Sequence, residues 1–361
     1  MPGASEGDLS AVQVQAAAAS SEKEKLDYEA EARLVAEARA SWDRKARGEE
    51  EDDEEDPETS LDYYAYEAKQ FRNFWNCLYF GYFGTFEDTT KIPPMRFTDE
   101  PPEPWRAYPR PTLQVFSVRV GGLKGGLQWP LHVFGKVAAR DSADRNRNMI
   151  FDRTRDNCQI LTKEVPNLKL TGPSRAVLLI DPVTFEVDLK VKGCTESEDK
   201  HLSFLAVQFS DMITLDSCLR KSAYTSKLST LWFTLGIVVF SVEATISVRV
   251  SGGSWPDGLR AQFAAHTASI GSQELILLDS GNDKLPVSGD GTITFGRRVA
   301  SVEVDEELNV SVKAWQGGEV TVHTEMCFKA KKAGRSGGSL DVGFCQLDVS
   351  VAWSLLSSDG D

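Results

Sequence analysis

The residues best suited to binding a charged ligand lie in two short, polar segments, 140–148 and 152–157. Together they carry four aspartates and five arginines. Several carboxylates from adjoining loops are what Ca²⁺ requires, so a cation site is one interpretation. Arginines at this density would instead pair with the carboxylates through charge-assisted hydrogen bonds. The candidate ligand or partner surface consists of Arg140, Asp141, Asp144, Arg147, Asn148, Arg153, Arg155 and Asp156.

Three interpretations of these residues stay open at this point. A structural network of Arg–Asp pairs between strands requires the fewest assumptions, because it uses both types of charge. A ligand or partner surface comes second, and a metal site comes last, because the arginines reduce the attraction for a cation. The matching segment later in the chain, 268–273, reads Ala-Ser-Ile-Gly-Ser-Gln and lacks the charges. A site of this kind would therefore belong to the first half of the chain alone.

No other pattern predicts a catalytic residue, a metal centre or a cofactor. The four histidines, at positions 132, 201, 266 and 323, belong to no recognisable nucleophile motif, and we expect each of them at the surface. The zinc-protease motif H-E-x-x-H, the P-loop and the dinucleotide-binding glycine pattern are missing. The glycine-rich basic segment 334–338 is compatible with a phosphate contact, although a mobile hairpin tip is the simpler interpretation.

Charge and hydropathy exclude two classes of function. The 361 residues carry a net charge of −14, and eight consecutive acids occupy positions 49–56. This balance argues against general nucleic-acid binding, which needs clustered Lys and Arg. The uncharged stretch 228–242 has 15 residues, whereas a membrane-spanning helix needs about 20. Because the stretch is rich in β-branched residues, it predicts two buried strands or one long bent strand.

The cysteines and the first residues indicate a reducing compartment. Six cysteines are scattered along the chain without C-x-x-C spacing. The first residues have neither the basic start nor the apolar segment of a secretory signal. We therefore expect a cytoplasmic or nuclear protein with free, mostly buried thiols.

The elements that must position the polar segments are β-strands. From Leu113 onward apolar and polar residues alternate, as in Phe185, Val187 and Leu189 with Glu186 and Asp188 between them. This period of two predicts strands with one buried and one solvated face. The chain is therefore predicted to be mainly β. We expect tandem or duplicated antiparallel β-sandwich units at 113–225 and 226–356.

Several motifs occur twice in the same order, which suggests an internal repeat. Residues 117–122 read Ser-Val-Arg-Val-Gly-Gly and precede Trp129-Pro130, while 247–250 repeat Ser-Val-Arg-Val before Trp255-Pro256. Later pairs follow at offsets that stay between 123 and 130 residues. We expect the two Trp-Pro pairs to pack at equivalent corners, although exposed rings there would suit a sugar or an aromatic ligand.

The residues before the strands predict three further elements. Residues 1–59 are expected to form a disordered acidic arm with a helix near 22–47 that suits a coiled-coil contact. Residues 60–112 are expected to form an aromatic helix followed by a stiff, extended, proline-rich linker. The helix should pack on the β domain through an i, i+3, i+4 stripe formed by Phe71, Phe74, Trp75, Leu78 and Tyr82.

Longer motifs carry a resemblance to a known family. They include Ile92-Pro93-Pro94-Met95 and the stretches 129–159, 170–193 and 253–258. The chain resembles, over roughly residues 85–355, the large grass family of uncharacterised proteins built on domain of unknown function 6598. The resemblance implies a cereal protein with a stress or defence setting and no assigned catalytic residues. Some such domains also look joined to ribosome-inactivating rRNA N-glycosidases.

A non-enzymatic interaction or binding module is the function that these observations favour. Its partner would be a protein or a small ligand, with no general nucleic-acid binding and no membrane. The alternative is glycosidase-like or other hydrolase activity in the cleft between the β units. The only Glu-x-x-Arg of the glycosidase type is Glu103-Pro104-Trp105-Arg106, which the prolines should keep out of a helix. A third hypothesis is an oligomeric adaptor assembled through residues 22–47.

Overall fold

The computed structural model describes residues 63–210, 215–281, 283–316 and 318–358. Helix α1 (Tyr63–Phe74), a π-helical turn (Trp75–Tyr79) and helix α2 (Phe80–Phe83) precede fifteen strands among these residues. The predicted arm 1–59 and its helix near 22–47 lie outside the described residues. The strands are β1 (Arg110–Gly121), β2 (Leu131–Arg140), β3 (Asn148–Arg153), β4 (Gln159–Leu161), β5 (Val183–Val191), β6 (Lys200–Phe209), β7 (Cys218–Ser226), β8 (Ser229–Gly253), β9 (Arg260–Thr267), β10 (Leu275–Asp279), β11 (Val299–Glu303), β12 (Glu307–Gln316), β13 (Glu319–Lys329), β14 (Ala333–Asp341) and β15 (Cys345–Ser354).

The strands form three antiparallel sheets. One sheet has the order β3-β2-β5-β6, with β4 also paired to β2, and a second has the order β10-β9-β12-β13. The two orders are the same, because each strand number in the second sheet is seven higher than that of its counterpart in the first. The third sheet has the order β1-β8-β15-β14, and β7 and β11 also pair with β8. The prediction of a mainly β chain with antiparallel sandwich units is confirmed.

Strand β8 contributes to both sandwiches. Its first part pairs with β1 and β7, and its second part pairs with β11 and β15. Leu231 and Phe233 of the first part lie in one hydrophobic core, whereas Ile246 and Val248 lie in the other. The uncharged stretch 228–242 is thus part of one long strand, as one of the two sequence interpretations predicted. The proposed division between residues 225 and 226 stays a prediction.

Alternating side chains explain why one face of β5 is buried. Val183, Phe185, Val187 and Leu189 are each fully buried in the core of the first half. Their β-branched and aromatic shapes fit a pleated surface and remove apolar area from water. The alternate residue Glu186 was expected to face solvent, but its side chain is only 13% exposed. This expectation was wrong because residues that precede the strands cover this part of the sheet.

The aromatic segment, residues 63–87, is helical as far as Phe83, as predicted, but its stripe differs from the prediction. Trp75 is buried and Phe71 is half-buried, whereas Leu78 and Tyr82 are exposed. The π-helical turn adds a residue to one turn and so changes which side chains face the sheet. Trp75 instead has edge and tilted ring contacts with Tyr79, at 5.4 Å, and with Phe83, at 6.2 Å.

The proline-rich segment is not the extended linker that the sequence predicted. It turns at 94–97 and again at 104–106 and packs against the β domain. The Met95 amide donates to Glu243 at 2.8 Å, and the Phe97 amide donates to Ser354 Oγ at 3.0 Å. Phe97 is buried. Buried apolar residues between the prolines therefore fold the segment back onto the sheet.

No helix in the described part of the chain has the length and apolar character needed to cross a bilayer.

Candidate functional site

The loop between β2 and β3 contributes Asp141 to a buried ion pair. Arg175 binds Asp141 through two parallel hydrogen bonds, of 2.7 and 2.8 Å, and its terminal nitrogens also donate to Asp144 at 3.1 Å and to the Ala176 carbonyl at 2.9 Å. Asp141 also accepts the Leu178 amide at 2.7 Å. Burial alone would lower the pKa of Arg175, but the two aspartates hold that pKa above its usual value. The planar guanidinium fits a carboxylate in this geometry.

A second ion-pair cluster joins β2 and β5 beside the first. Glu186 accepts hydrogen bonds from Arg140 Nε at 2.9 Å and from Arg147 Nε at 3.0 Å. The side chains of both arginines are at most 6% exposed. Burial lowers the pKa of Arg140, and the neighbouring Glu186 opposes that change. One carboxylate therefore stabilises two buried cations.

Residues of the aromatic segment cover this second cluster. The Arg140 guanidinium lies 4.4 Å from the ring centres of Trp75 and Phe86. It also donates to the Phe86 carbonyl at 2.5 Å, and Arg147 donates to the Glu87 carbonyl at 3.3 Å. Cation–π contacts of this kind are strengthened when they are desolvated. The network thus attaches the segment around Trp75 and Phe86 to the first sandwich.

Two further buried polar side chains complete the network. Asn148 donates to the Arg175 carbonyl at 2.9 Å and accepts the Ser174 amide at 2.8 Å. Glu243, on β8, accepts the amides of Met95 and Ala176, each at 2.8 Å. Burial raises the pKa of Glu243 above its usual value, although both amides favour the ionised form. Glu243 thereby connects the proline-rich segment to the residues that follow Arg175.

The other three candidates lie at the far end of β3. Arg155 binds Asp199 at 2.9 Å and donates to the Gly193 carbonyl at 2.9 Å. Arg153 donates to the Asn157 carbonyl at 3.2 Å, and Asp156 is exposed. The hydrogen bond from Arg155 lowers the pKa of Asp199. This pair is separate from the buried network, and its arginine is more exposed, at 21%.

The structure therefore divides the eight predicted residues into a group of five and a group of three. The five join an internal ion-pair network, which agrees with the interpretation that required the fewest assumptions. As a ligand or partner surface, the set stays a prediction. Arg175, Glu186 and Glu243 also belong to the network, although they lie outside the two polar segments that indicated it. A single charge in a long apolar stretch was the available signal for Glu243, whereas Glu186 alternates with Asp188 and Lys190 as an ordinary solvent-facing residue would.

The described cavities near these residues are small. One, of about 30 Å³, lies beside Arg175 and Glu243 and is lined also by Ile92 and Phe97. Another, of about 10 Å³, lies where β1 and β9 approach each other. The first has room for about one water molecule.

The segment 334–338 was expected to be a hairpin tip, but it lies within β14. It reads Gly-Arg-Ser-Gly-Gly, so the sequence does contain one match to the G-x-S-x-G nucleophile pattern. A nucleophile serine of that type sits on a sharp strand-to-helix turn. Ser336 instead lies in a strand and accepts the Trp353 indole N–H at 3.0 Å.

Two other sequence expectations concern glycosidase chemistry and metals. Glu103 and Arg106 form a turn, closed by the Arg106 amide on the Glu103 carbonyl at 2.9 Å, so the predicted absence of a helix there is confirmed. Among the described residues, no three His, Cys, Asp or Glu side chains are grouped closely enough to hold a metal ion.

The thiols are free, as predicted, but most are not buried. Of the six cysteines only Cys345 is buried, and Cys77, Cys194 and Cys327 are exposed. Cys158 lies 3.8 Å from Nδ1 of the exposed His132. The sequence could not reveal this contact because 26 residues separate the two side chains.

The family model for Domain of unknown function (DUF6598) matches residues 112–351, from β1 to β15. The chain belongs to this family. The match includes both sandwiches, the buried network and the Cys158–His132 contact. None of the curated proteins matches this DUF6598 chain.

Two solved structures resemble the chain distantly. Human GIVD cytosolic phospholipase A2 is 9% identical, over 68% of this chain and 33% of that chain, with a TM-score of 0.24. The calcium-bound pair of C2 domains from Extended-Synaptotagmin 2 is 8% identical, over 70% of this chain and 100% of that chain, with a TM-score of 0.24. The DUF6598 chain thus spans about a third of the phospholipase. Likenesses of this size carry no inference about function.

Proposed function

We propose that this chain is a non-enzymatic interaction module that recognises a protein partner through an aromatic turn. The aromatic turn consists of Leu78, Phe80 and Tyr82, which are 40%, 57% and 67% exposed. Their neighbour Trp75 is buried and attached to the β domain through Arg140. Exposed aromatic side chains on a fixed base are typical of the anchors of protein interfaces. This exposure is the observation that carries the proposal.

The aromatic turn is a better candidate for recognition than the polar residues, because most of the polar residues are occupied inside the chain. Arg140, Asp141, Arg147 and Asn148 are all buried, and each forms hydrogen bonds with other groups of the chain itself. The cavity beside Arg175 and Glu243, of about 30 Å³, is far smaller than the clefts of about 300–1,000 Å³ that hold small-molecule ligands, so the buried network leaves no room for one. A protein partner is therefore favoured over a small ligand.

The charge of the chain suggests the chemistry of the partner. The acidic run 49–56 precedes the aromatic turn by about twenty residues in the sequence. A partner with a basic segment beside an apolar groove would contact both features. Opposite charges raise the rate of association, and apolar burial slows dissociation.

The test is differential capture with the full chain in extract of the source cells. Phe80→Ser with Tyr82→Ser removes the aromatic anchors. Phe240→Ser is the matched control, because Phe240 is 69% exposed but lies on β8. We expect specific partners to be lost with the double variant and kept with the control, and their binding to weaken with salt. Equal capture by all three proteins would contradict the proposal.

The enzymatic alternative has its own assay. Intact ribosomes are incubated with the full chain, and depurinated rRNA is measured against Glu103→Gln. We expect no depurination above that of ribosomes alone. Specific depurination that Glu103→Gln abolishes would overturn a non-enzymatic function.

Further parts of the proposal concern origin and setting. We propose that the two halves arose by duplication, which the shared strand order and the repeated Ser-Val-Arg-Val segments support. A cereal protein of stress or defence remains our proposal on the family resemblance. Cytoplasmic or nuclear location is supported by the free cysteines. A coiled-coil contact is proposed for 22–47, where Leu26, Leu34 and Trp42 form a thin apolar stripe.

A further inference from the structure

A thiol and an imidazole meet on the outer face of the first sandwich. Cys158 immediately precedes β4, which pairs with β2, and His132 points outward from β2 between the buried residues Leu131 and Val133. The Cys158 Sγ and His132 Nδ1 atoms are 3.8 Å apart, which is hydrogen-bond distance for sulfur. The pair is open to solvent, since His132 is exposed and its strand neighbour Ile160 is 57% exposed.

This arrangement can generate a nucleophile. The thiolate, and not the thiol, attacks electrophiles, and an adjacent imidazole that accepts the thiol proton activates a cysteine in this way. Lys192 is the residue directly after β5. Its amide donates to the His132 carbonyl at 2.8 Å, so Lys192 lies opposite His132, next to the pair formed by Val133 and Val191. A positive charge there favours reagents that carry negative charge.

The other cysteines have different surroundings. Cys345 is buried, and burial followed by the nearby Asp341 raises its thiol pKa to about 11. Burial and the carboxylates of Glu307 and Glu325 raise the pKa of Cys327, whose thiol donates to Asn309. An amide oxygen accepts a hydrogen bond but does not take a proton. The thiol of Cys158 differs from these two because its neighbour is a histidine, which can take the proton.

We propose that Cys158 is a site of reversible mixed-disulfide formation with small anionic disulfides of the glutathione type, activated by His132. The Cys158 proton passes to Nδ1 of His132, and the thiolate attacks one sulfur of the disulfide. A new S–S bond forms at Cys158 as the S–S bond of the reagent breaks. The departing thiolate takes the proton back from the imidazolium. One disulfide is consumed and one is formed, so no further oxidant is required.

The test measures the rate of modification at each cysteine in the full chain. Glutathione disulfide is added at pH 7, and peptides are quantified by mass spectrometry over time. We expect Cys158 to react at least ten-fold faster than the exposed Cys77 and Cys194. His132→Gln should lower the Cys158 rate about ten-fold and leave the other two rates unchanged. The His132 side chain is exposed, so the thermal unfolding of the His132→Gln variant should match that of the unchanged protein.

Two further measurements separate activation by His132 from simple access. Lys192→Gln should slow the reaction of Cys158 with glutathione disulfide but not with the uncharged bis(2-hydroxyethyl) disulfide. His132→Gln should slow the reaction of Cys158 with both disulfides, because the imidazole acts on the thiol and not on the reagent. Equal rates at Cys158 and Cys194, or a Cys158 rate that ignores His132→Gln, would overturn the proposal.

Discussion

The loop between β2 and β3 and the loop between β9 and β10 close equivalent ends of the two sandwiches in different ways. The first places Asp141 and Arg147 in a buried ionic network. The second is a short 3₁₀ turn, Ala268–Ile270, that places Ile270 in the hydrophobic core of the second half. Identical strand orders therefore do not impose identical loop chemistry.

The difference follows from what covers each loop. The first loop lies under the aromatic segment. The carbonyls of Phe86 and Glu87 in that segment require hydrogen-bond donors, which Arg140 and Arg147 provide. The second loop contacts β7 and the first part of β8. A Cβ added at Gly236 would lie 2.7 Å from the Phe116 ring and 3.4 Å from Ile270, so the missing side chain makes room for this contact. Polar groups that cover a loop must be hydrogen-bonded by polar side chains of that loop, whereas an apolar surface packs best against an apolar side chain.

The largest difference is expected between Asp141→Asn and its counterpart Ser269→Ala. Asp141→Asn leaves Arg175 buried without its main charge partner, which should cost about 3–5 kcal/mol of unfolding free energy. Ser269 is half-buried and shares a hydroxyl contact with Thr267, so its loss should cost less than about 1 kcal/mol. Urea unfolding of the full chain, followed by circular dichroism, measures both. Similar losses would remove the contrast between the loops.

A double variant separates charge from packing. In Asp141→Leu with Arg175→Met both buried charges are gone, and apolar groups of similar length replace them. Such replacements of buried ion pairs are often neutral. The double variant should therefore be more stable than Asp141→Asn alone. If it is less stable, the backbone contacts of Asp141 with Ala143 and Leu178 outweigh the ion pair.

The sheets could be predicted from the sequence because their signal is local. Residues such as Val187 and Leu189 alternate with polar neighbours, and that period alone specifies a strand with one buried face. The sharing of β8 by both sandwiches could not be predicted. Pairing with β1 in one part and β15 in another depends on residues about a hundred positions away. The π-helical turn at Trp75 is likewise a product of tertiary packing.

The site could be predicted only in part, for the same reason. Asp141 and Arg147 are close in sequence, so their density was visible. Arg175, Glu186 and Glu243 join them through pairing between strands and through the cover. The contact of Cys158 with His132 also depends on strand pairing. Composition indicates that charges must be neutralised, but the partner of each charge follows from the register of the sheets.

The next contrast is between Glu186 and Asn309, which occupy matching positions on β5 and β12. Glu186→Gln leaves Arg140 and Arg147 without their shared anion and should cost about 2–3 kcal/mol, less than Asp141→Asn because the side chain is 13% exposed. It should also increase hydrogen exchange in α1 and the π-helical turn. Asn309→Ala should cost less than about 1 kcal/mol and leave that exchange unchanged. Unaltered exchange in Glu186→Gln would mean that the network does not hold the aromatic segment.

The apolar closure of the second loop should respond to volume and not to charge. Ile270→Val removes one methylene from a side chain that is 8% exposed and should cost about 1 kcal/mol. The loss should be the same in 0.1 M and 1 M NaCl. Thermal unfolding at the two salt concentrations measures this. A loss that depends on salt would show that charges also act at the second loop.

The smallest effects are expected at two carboxylates outside the buried network, Asp199 in the first half and Asp290 in the second, which should differ only in their response to salt. The hydrogen bond from Arg155 lowers the pKa of Asp199, and hydrogen bonds from Ser288 and Thr292 lower the pKa of Asp290 to about 2. A carboxylate whose pKa is lowered in the folded state stabilises the fold above its ordinary pKa, and loses that contribution as the pH falls through the lowered value. Arg155→Gln and Ser288→Ala should thus each lower the melting temperature slightly at pH 7, by less than any variant above.

Salt then distinguishes the two sources of the lowered pKa. At 1 M NaCl the screening length is about 3 Å, so the ionic contribution of Arg155 to Asp199 should largely disappear. The hydroxyl of Ser288 carries no net charge, so the effect of Ser288→Ala should persist at both salt concentrations. Differential scanning calorimetry at pH 7 and pH 3, at both salt concentrations, measures the difference between each variant and the unchanged protein. If Arg155→Gln cost as much as Asp141→Asn, the far end of β3 would belong to the same energetic unit as the buried network, and burial would not be what separates the two groups of charges.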